Sequence, residues 1–155
     1  MNGVAPDGGL LEHLQAEHHR LNCTLSVIQH RINDLSSNAL RPSPFEFVDS
    51  LQALRAELLA HFAEEETDGC LGEATARCPS TAPQLKAIAA DHEELLRAVN
   101  ELTEFVITNA VSTDELAVRF RAFAQQLHAH EIAESHLLQY ALGGDVADYD
   151  VEGNE

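Results

Sequence analysis

Residues 58–65 read Leu58-Leu59-Ala60-His61-Phe62-Ala63-Glu64-Glu65, and residues 127–134 read Leu127-His128-Ala129-His130-Glu131-Ile132-Ala133-Glu134. Both set His-x-x-x-Glu inside an apolar repeat of three- and four-residue steps. Working outward, the first repeat runs Phe47, Leu51, Leu54, Leu58, His61, Glu65. The second runs Leu116, Phe120, Phe123, Leu127, His130, Glu134, Leu137, Ala141. That spacing lines one face of a helix. Two more segments keep it: Leu11, Leu14, His18, Leu21, Leu25, Ile28, Ile32, Leu35, and Leu85, Ile88, His92, Leu95, Val99, Leu102, Val106. The breaks fall at Ser36–Pro44, in a loop over Asp68–Ala82 that holds Gly69, Gly72 and Pro79, and near Thr108–Ser112. Pro44 and Pro83 suit first helical turns, and Thr113-Asp114-Glu115 is a helix start. Strand signals are absent. The expectation is an all-α chain, an antiparallel up-down-up-down four-helix bundle over residues 10–142. A Gly-rich flexible lead (1–9) precedes it and an acidic mobile tail (143–155) follows.

Composition narrows the function. The chain has 155 residues, enough for one domain, and 45% hydrophobic residues, which excludes a disordered polyelectrolyte. Against 9 basic residues stand 26 acidic ones, a net charge of −17 that repels phosphate backbones and anionic lipids. Neither nucleic acid nor membrane is expected as a partner. No apolar run reaches the ~18–20 residues of a membrane span. The first nine residues lack the basic and apolar segments of an export signal, so a soluble, cytoplasmic protein is expected. Three cysteines (Cys23, Cys70, Cys78) are expected as reduced thiols. Histidine is the unusual count: nine, as many as Lys and Arg together.

Polar residues interrupt the four stripes at His18, His61, Glu65, His92, His130 and Glu134. They have an internal symmetry. Ala16-Glu17-His18-His19-Arg20-Leu21 resembles Ala90-Asp91-His92-Glu93-Glu94-Leu95, just as 58–65 resembles 127–134. His18 and His92 lie early in their helices, His61 and His130 late. In alternating antiparallel helices those positions share one end, within roughly 9 Å of one level. Burying a lone polar group costs roughly 2–7 kcal/mol and a bare carboxylate more. A domain has only about 5–15 kcal/mol of net stability. No stripe carries a Lys or Arg to neutralise the glutamates, so cations are the expected partners. In His-x-x-x-Glu both side chains reach one centre, and a carboxylate can bridge two ions. Four imidazoles and two carboxylates exceed one tetrahedral zinc but fit two six-coordinate cations with positions left open. Imidazole with carboxylate and no thiolate suits iron or manganese.

This pattern resembles the hemerythrin-like (HHE cation-binding) family: a His on helix one, His-x-x-x-Glu on helix two, a His on helix three and His-x-x-x-Glu on helix four. His61-Phe62-Ala63-Glu64-Glu65-Glu66 and Asp91-His92-Glu93-Glu94-Leu95 are similar to that family's phrases. The resemblance implies a non-haem di-iron centre with a bridging oxo or hydroxo group, held by His18, His61, Glu65, His92, His130 and Glu134. It implies binding or sensing of O2, NO or peroxide, iron handling, or repair of iron centres. A redox partner protein would accompany the sensing or redox roles. Oxygen carriers place a fifth histidine one turn from the third-helix ligand, where this chain has Ile88 and Leu96. They also end on an Asp five residues after the fourth-helix histidine, against Glu134 four residues after His130. Fewer ligands leave more open positions, which favours redox chemistry, sensing or weaker metal retention over reversible O2 carriage.

Other readings stay open beside it. Ferritin-like bundles use Glu-x-x-His, which occurs nowhere in the chain. His130-Glu131-Ile132-Ala133-Glu134 superficially resembles the zinc-protease signature but ends on Glu. An iron store or donor, or a structural bundle with a zinc or adventitious site, are the alternatives. His19 could replace His18. His13, His30, His128 and His136 fall off the stripes. Glu64, Glu66 and Glu131 flank ligands, where they could orient an imidazole N–H, and Glu131 could itself ligate. No nucleophile–base pair marks an enzyme.

Overall fold

The computed structural model describes residues 6–36, 45–67, 69–108 and 112–143. In chain order they form α1 (Pro6–Ser36), α2 (Phe45–Thr67), α3 (Cys70–Arg77), a 3-10 turn (Pro79–Thr81), α4 (Ala82–Thr108), α5 (Thr113–Leu138) and a closing π turn (Gln139–Gly143). There is no strand among the described residues. None of these helices is long and apolar enough to cross a membrane. The long helices pack as a bundle: α1 lies along α5 and α2, and α4 along α2 and α5.

Local chemistry starts the helices where the sequence marks them. The Ser112 hydroxyl accepts the Glu115 N–H (3.2 Å) as the cap of α5, and Asp114 and Glu115 set negative charge at its positive end. Pro83 sits in the first turn of α4, where no intrahelical N–H is needed. α1 already begins at Pro6, inside the stretch read as a lead, and runs on through Gly8 and Gly9. Residues 1–5, most of the connection to Pro44, and the tail beyond Gly143 lie outside the described residues.

The loop expected over Asp68–Ala82 is a correction. Eight of its residues form α3, because Cys70, Leu71 and Ala74 bury one face against Leu14, Leu85, Ile88 and Leu138. Gly69 makes the tight return from α2 possible, since a Cβ there would run into the Glu64 carbonyl oxygen. The end of the α5 stripe also differs: Leu138 is fully buried and Leu137 only partly so.

Two apolar clusters result, with a polar layer between them. The larger gathers Leu21, Ile28, Leu58, Leu95, Phe120 and Leu127 with their stripe neighbours. The smaller is the cap formed around α3. Along α1 the order is cap (Leu14), His18, larger cluster (Leu21); along α2 it is Leu58, His61 and Glu65, then the cap beyond. α4 repeats the order of α1 with Ile88, His92 and Leu95. α5 repeats that of α2 with Leu127, His130, Glu134 and Leu138. Each fully buried Leu, Ile or Phe contributes roughly 1.5–3 kcal/mol, so both clusters hold the layer in place.

Candidate metal centre

All six polar stripe residues are buried, from Glu134 at 0% exposure to His18 at 7%. They meet in one layer. His61 Nε2 lies 3.0 Å from Glu65 Oε2, and His92 Nε2 lies 3.2 Å from Glu65 Oε1. His18 Nε2 lies 3.0 Å from Glu134 Oε1. Glu134 Oε2 faces His92 Nε2 at 3.7 Å and His130 Nε2 at 3.9 Å. Each glutamate thus spans two imidazole pairs. His18 and His61, ring centroids 5.4 Å apart, are on one side; His92 and His130, 5.0 Å apart, are on the other.

The donor set fits two cations. One ligand atom from each of His18, His61, Glu65 and Glu134 lies within 4.8 Å of the others, and the same holds for His92, His130 and Glu134. Atoms about 2.1 Å from one ion and at right angles are about 3 Å apart, close to the shorter distances above. Both Glu65 oxygens, Glu134 Oε2, His92 Nε2 and His130 Nε2 are buried with no hydrogen-bond partner. Buried polar atoms are rarely left so, and an orphan costs about 1–3 kcal/mol. Two carboxylates with two imidazoles on each side are an oxygen–nitrogen donor set that could hold metal ions.

Proton balance shows how strongly the layer draws positive charge. Burial alone would depress His92, but Glu134, Glu65 and Glu66 outweigh it and push its pKa up to about 10. Burial likewise opposes His61, and Glu65, Glu134 and Glu17 still raise it. Burial works against a charged Glu134, yet His18 and His92 hold its carboxyl well below the usual range. A cation bound there would replace those protons.

Two of the four rings, His92 and His130, are hydrogen-bonded from behind, and a third, His61, has a carboxylate near an Nδ1 that lacks a hydrogen-bond partner. Glu17 Oε1 lies 3.5 Å from His61 Nδ1, Glu66 Oε2 is 2.5 Å from His92 Nδ1, and Asp91 Oδ2 is 3.3 Å from His130 Nδ1. A carboxylate on Nδ1–H fixes the tautomer that leaves Nε2 free to ligate. Phe62 stacks on His92 at 3.9 Å between centroids and fixes its plane.

The sequence foresaw Glu66 as a group that could orient an imidazole; it did not single out Glu17, Asp91 or Phe62. The repeated acid-then-His phrase was the available signal. In both copies that acid faces the Nδ1 of the histidine on the following long helix, Glu17 near His61 and Asp91 hydrogen-bonded to His130. Glu64 pairs with His13 (2.6 Å). Glu131 is buried, but its Oε1 accepts from Asn22 (3.2 Å) and burial raises its pKa. His19 is exposed with its Nε2 near Cys23 Sγ, so His18 is the residue in the layer. His30, His128 and His136 are exposed. All three cysteines are free; burial, with Glu65 and Glu134 nearby, pushes the Cys70 thiol up to about 12.

No family model, no curated protein and no solved structure matches this chain.

Proposed function

We propose that the chain is a hemerythrin-like, cytoplasmic protein whose antiparallel up-down-up-down bundle holds two iron ions and binds or senses O2, NO or peroxide. The observation that carries the reading is the position of Glu65 and Glu134, each with one oxygen toward His18 or His61 and the other toward His92 or His130. The antiparallel arrangement is supported by the order of the clusters, which reverses from each long helix to the next.

A bound iron pair supplies electron transfer and open positions for a small ligand. The protein's own part is to bind, to orient and to restrict access. The four Nε2 atoms and two carboxylates would hold the ions. Glu66 and Asp91 keep two imidazoles, His92 and His130, in the ligating tautomer. Leu58, Leu95 and Leu127 on one side, with Leu14, Ile88 and Leu138 on the other, pack apolar side chains above and below the layer. Ile88 is buried one turn from His92, at a position where an oxygen carrier has a fifth imidazole. This favours sensing or redox chemistry over reversible carriage. Iron storage or donation is the second reading, favoured by the same shortage of imidazoles.

Metal analysis and an optical spectrum of the protein from its native host test the proposal. Expected are two irons per chain and a near-UV band that shifts with azide and bleaches with dithionite. A colourless protein holding one zinc would refute it. Rapid metal loss to a mild chelator, with the fold intact, would favour the storage reading.

A further inference from the structure

We propose that His13, Glu17 and Glu64 form a capture site through which divalent cations load the buried centre, an inference that rests on the two-cation reading above. One ligand atom from each of the three lies within 4.8 Å of the others. They offer the donor chemistry of the centre itself, an imidazole with two carboxylates. His13 and Glu17 also repeat the four-residue spacing of His61–Glu65 and His130–Glu134, so both face the same way on α1.

Their exposure is graded. The His13 and Glu64 side chains are 54% and 58% exposed, whereas Glu17 is 16% exposed and reaches His61 Nδ1 at 3.5 Å. Behind them lies a cavity of about 140 Å³, lined by His13 and Glu64 and, further in, by His61 and Glu65. That is room for several waters. Glu65, 3% exposed and with both oxygens lacking a hydrogen-bond partner, lines this same cavity. A surface donor set, a passage and an unsatisfied buried carboxylate therefore lie in sequence. The −17 net charge draws cations toward the whole surface, and this cluster gives them a place to shed water next to the passage.

The plain alternative is a surface ion pair between His13 and Glu64. Such a pair is worth about 0–1 kcal/mol, so removing it leaves the fold intact and the two readings separate cleanly. Arg20 holds Glu17 Oε2 at 2.7 Å and leaves Oε1 toward His61.

Metal-free full-length protein is mixed anaerobically with ferrous iron, and the fall of free iron is followed with a chromophoric indicator. His13→Gln/Glu64→Gln should load at least roughly tenfold more slowly than the unaltered chain, yet reach the same two ions per chain. His30→Gln/Glu101→Gln, which loses the same groups from exposed positions away from the cavity, should load at the unaltered rate. Equal rates for the cavity variant and the unaltered chain would overturn the capture site. So would equal slowing in both variants, which would assign the effect to net charge. An unaltered chain that takes up no ion pair would instead overturn the two-cation reading, and the capture site with it.

Discussion

Thr103 and Glu134 are both buried polar side chains on long helices, 9% and 0% exposed. Thr103 belongs to the apolar half of α4, and its hydroxyl donates to the Val99 carbonyl (2.9 Å). Its polarity is settled within one helical turn. Glu134 lies in the layer of four imidazoles, and its Oε2 has no hydrogen-bond partner. The same helices thus carry two kinds of interior. In one, burial and local hydrogen bonds suffice. In the other, the side chains converge on space that suits ions. Glu65→Ala tests that difference hardest. It removes a group with oxygens toward both imidazole pairs, so the paired-metal signal should vanish and the content should fall from two ions to one or none. His30→Ala, at an exposed position, should leave both ions in place. Metal analysis with the azide-shifted spectrum reads both, and an unchanged ion pair in the Glu65 variant would dissolve the contrast.

Phe120→Ala probes the other interior. Phe120 is fully buried in the larger apolar cluster, so truncation should cost about 3–5 kcal/mol in urea unfolding. Its cation content should not change. The cost should also be the same after chelation, because no polar partner of Phe120 depends on an ion. Chelation itself should lower the stability of either protein by mass action, about 4 kcal/mol at a thousandfold excess of ion over Kd. If Phe120→Ala released the ions, the two interiors would be one cooperative unit.

The sequence made these two interiors legible to different depths. The stripes of α2 and α4 are buried residue for residue, because twenty or more residues of regular spacing leave one face to bury. The six polar exceptions were legible for the same reason, as breaks in a strict pattern. α3 was not. It has eight residues, two turns at most, with Gly72 inside and Gly69 and Pro79 beside it, and periodicity cannot speak over so short a span. Only tertiary packing, with Cys70 and Leu71 closing the cap, makes it a helix. Leu138 displaced Leu137 because a stripe near a helix end can continue by three or by four, and here a wide π turn follows. The acid-then-His repeat paired Glu17 with Asp91, but the rings they face, His61 and His130, sit on other helices. Spacing along one chain segment does not say which ring on another helix each would face.

Those carboxylates give the finest version of the comparison. Glu66 and Asp91 have side chains 46% and 52% exposed, yet each touches the Nδ1 of a buried imidazole of the layer, at 2.5 and 3.3 Å. Outer groups of this kind are typically worth 10–100-fold in metal affinity. Half-exposed carboxylates are screened by water, which argues for the low end. Glu66→Gln should therefore weaken ion binding by roughly tenfold, and Asp91→Asn, across a longer contact, by less. The amide keeps an oxygen that can still accept the ring N–H, so the loss isolates charge from orientation. Thr103→Val, in the apolar half, should leave affinity unchanged although its side chain is far better buried. Chelator-competition titrations on the three variants give the order directly. An Asp91 effect larger than that of Glu66 would mean that the distances do not rank the steering contacts. A Thr103 effect of similar size would mean that the layer is tuned by the whole bundle and not by the groups behind its imidazoles.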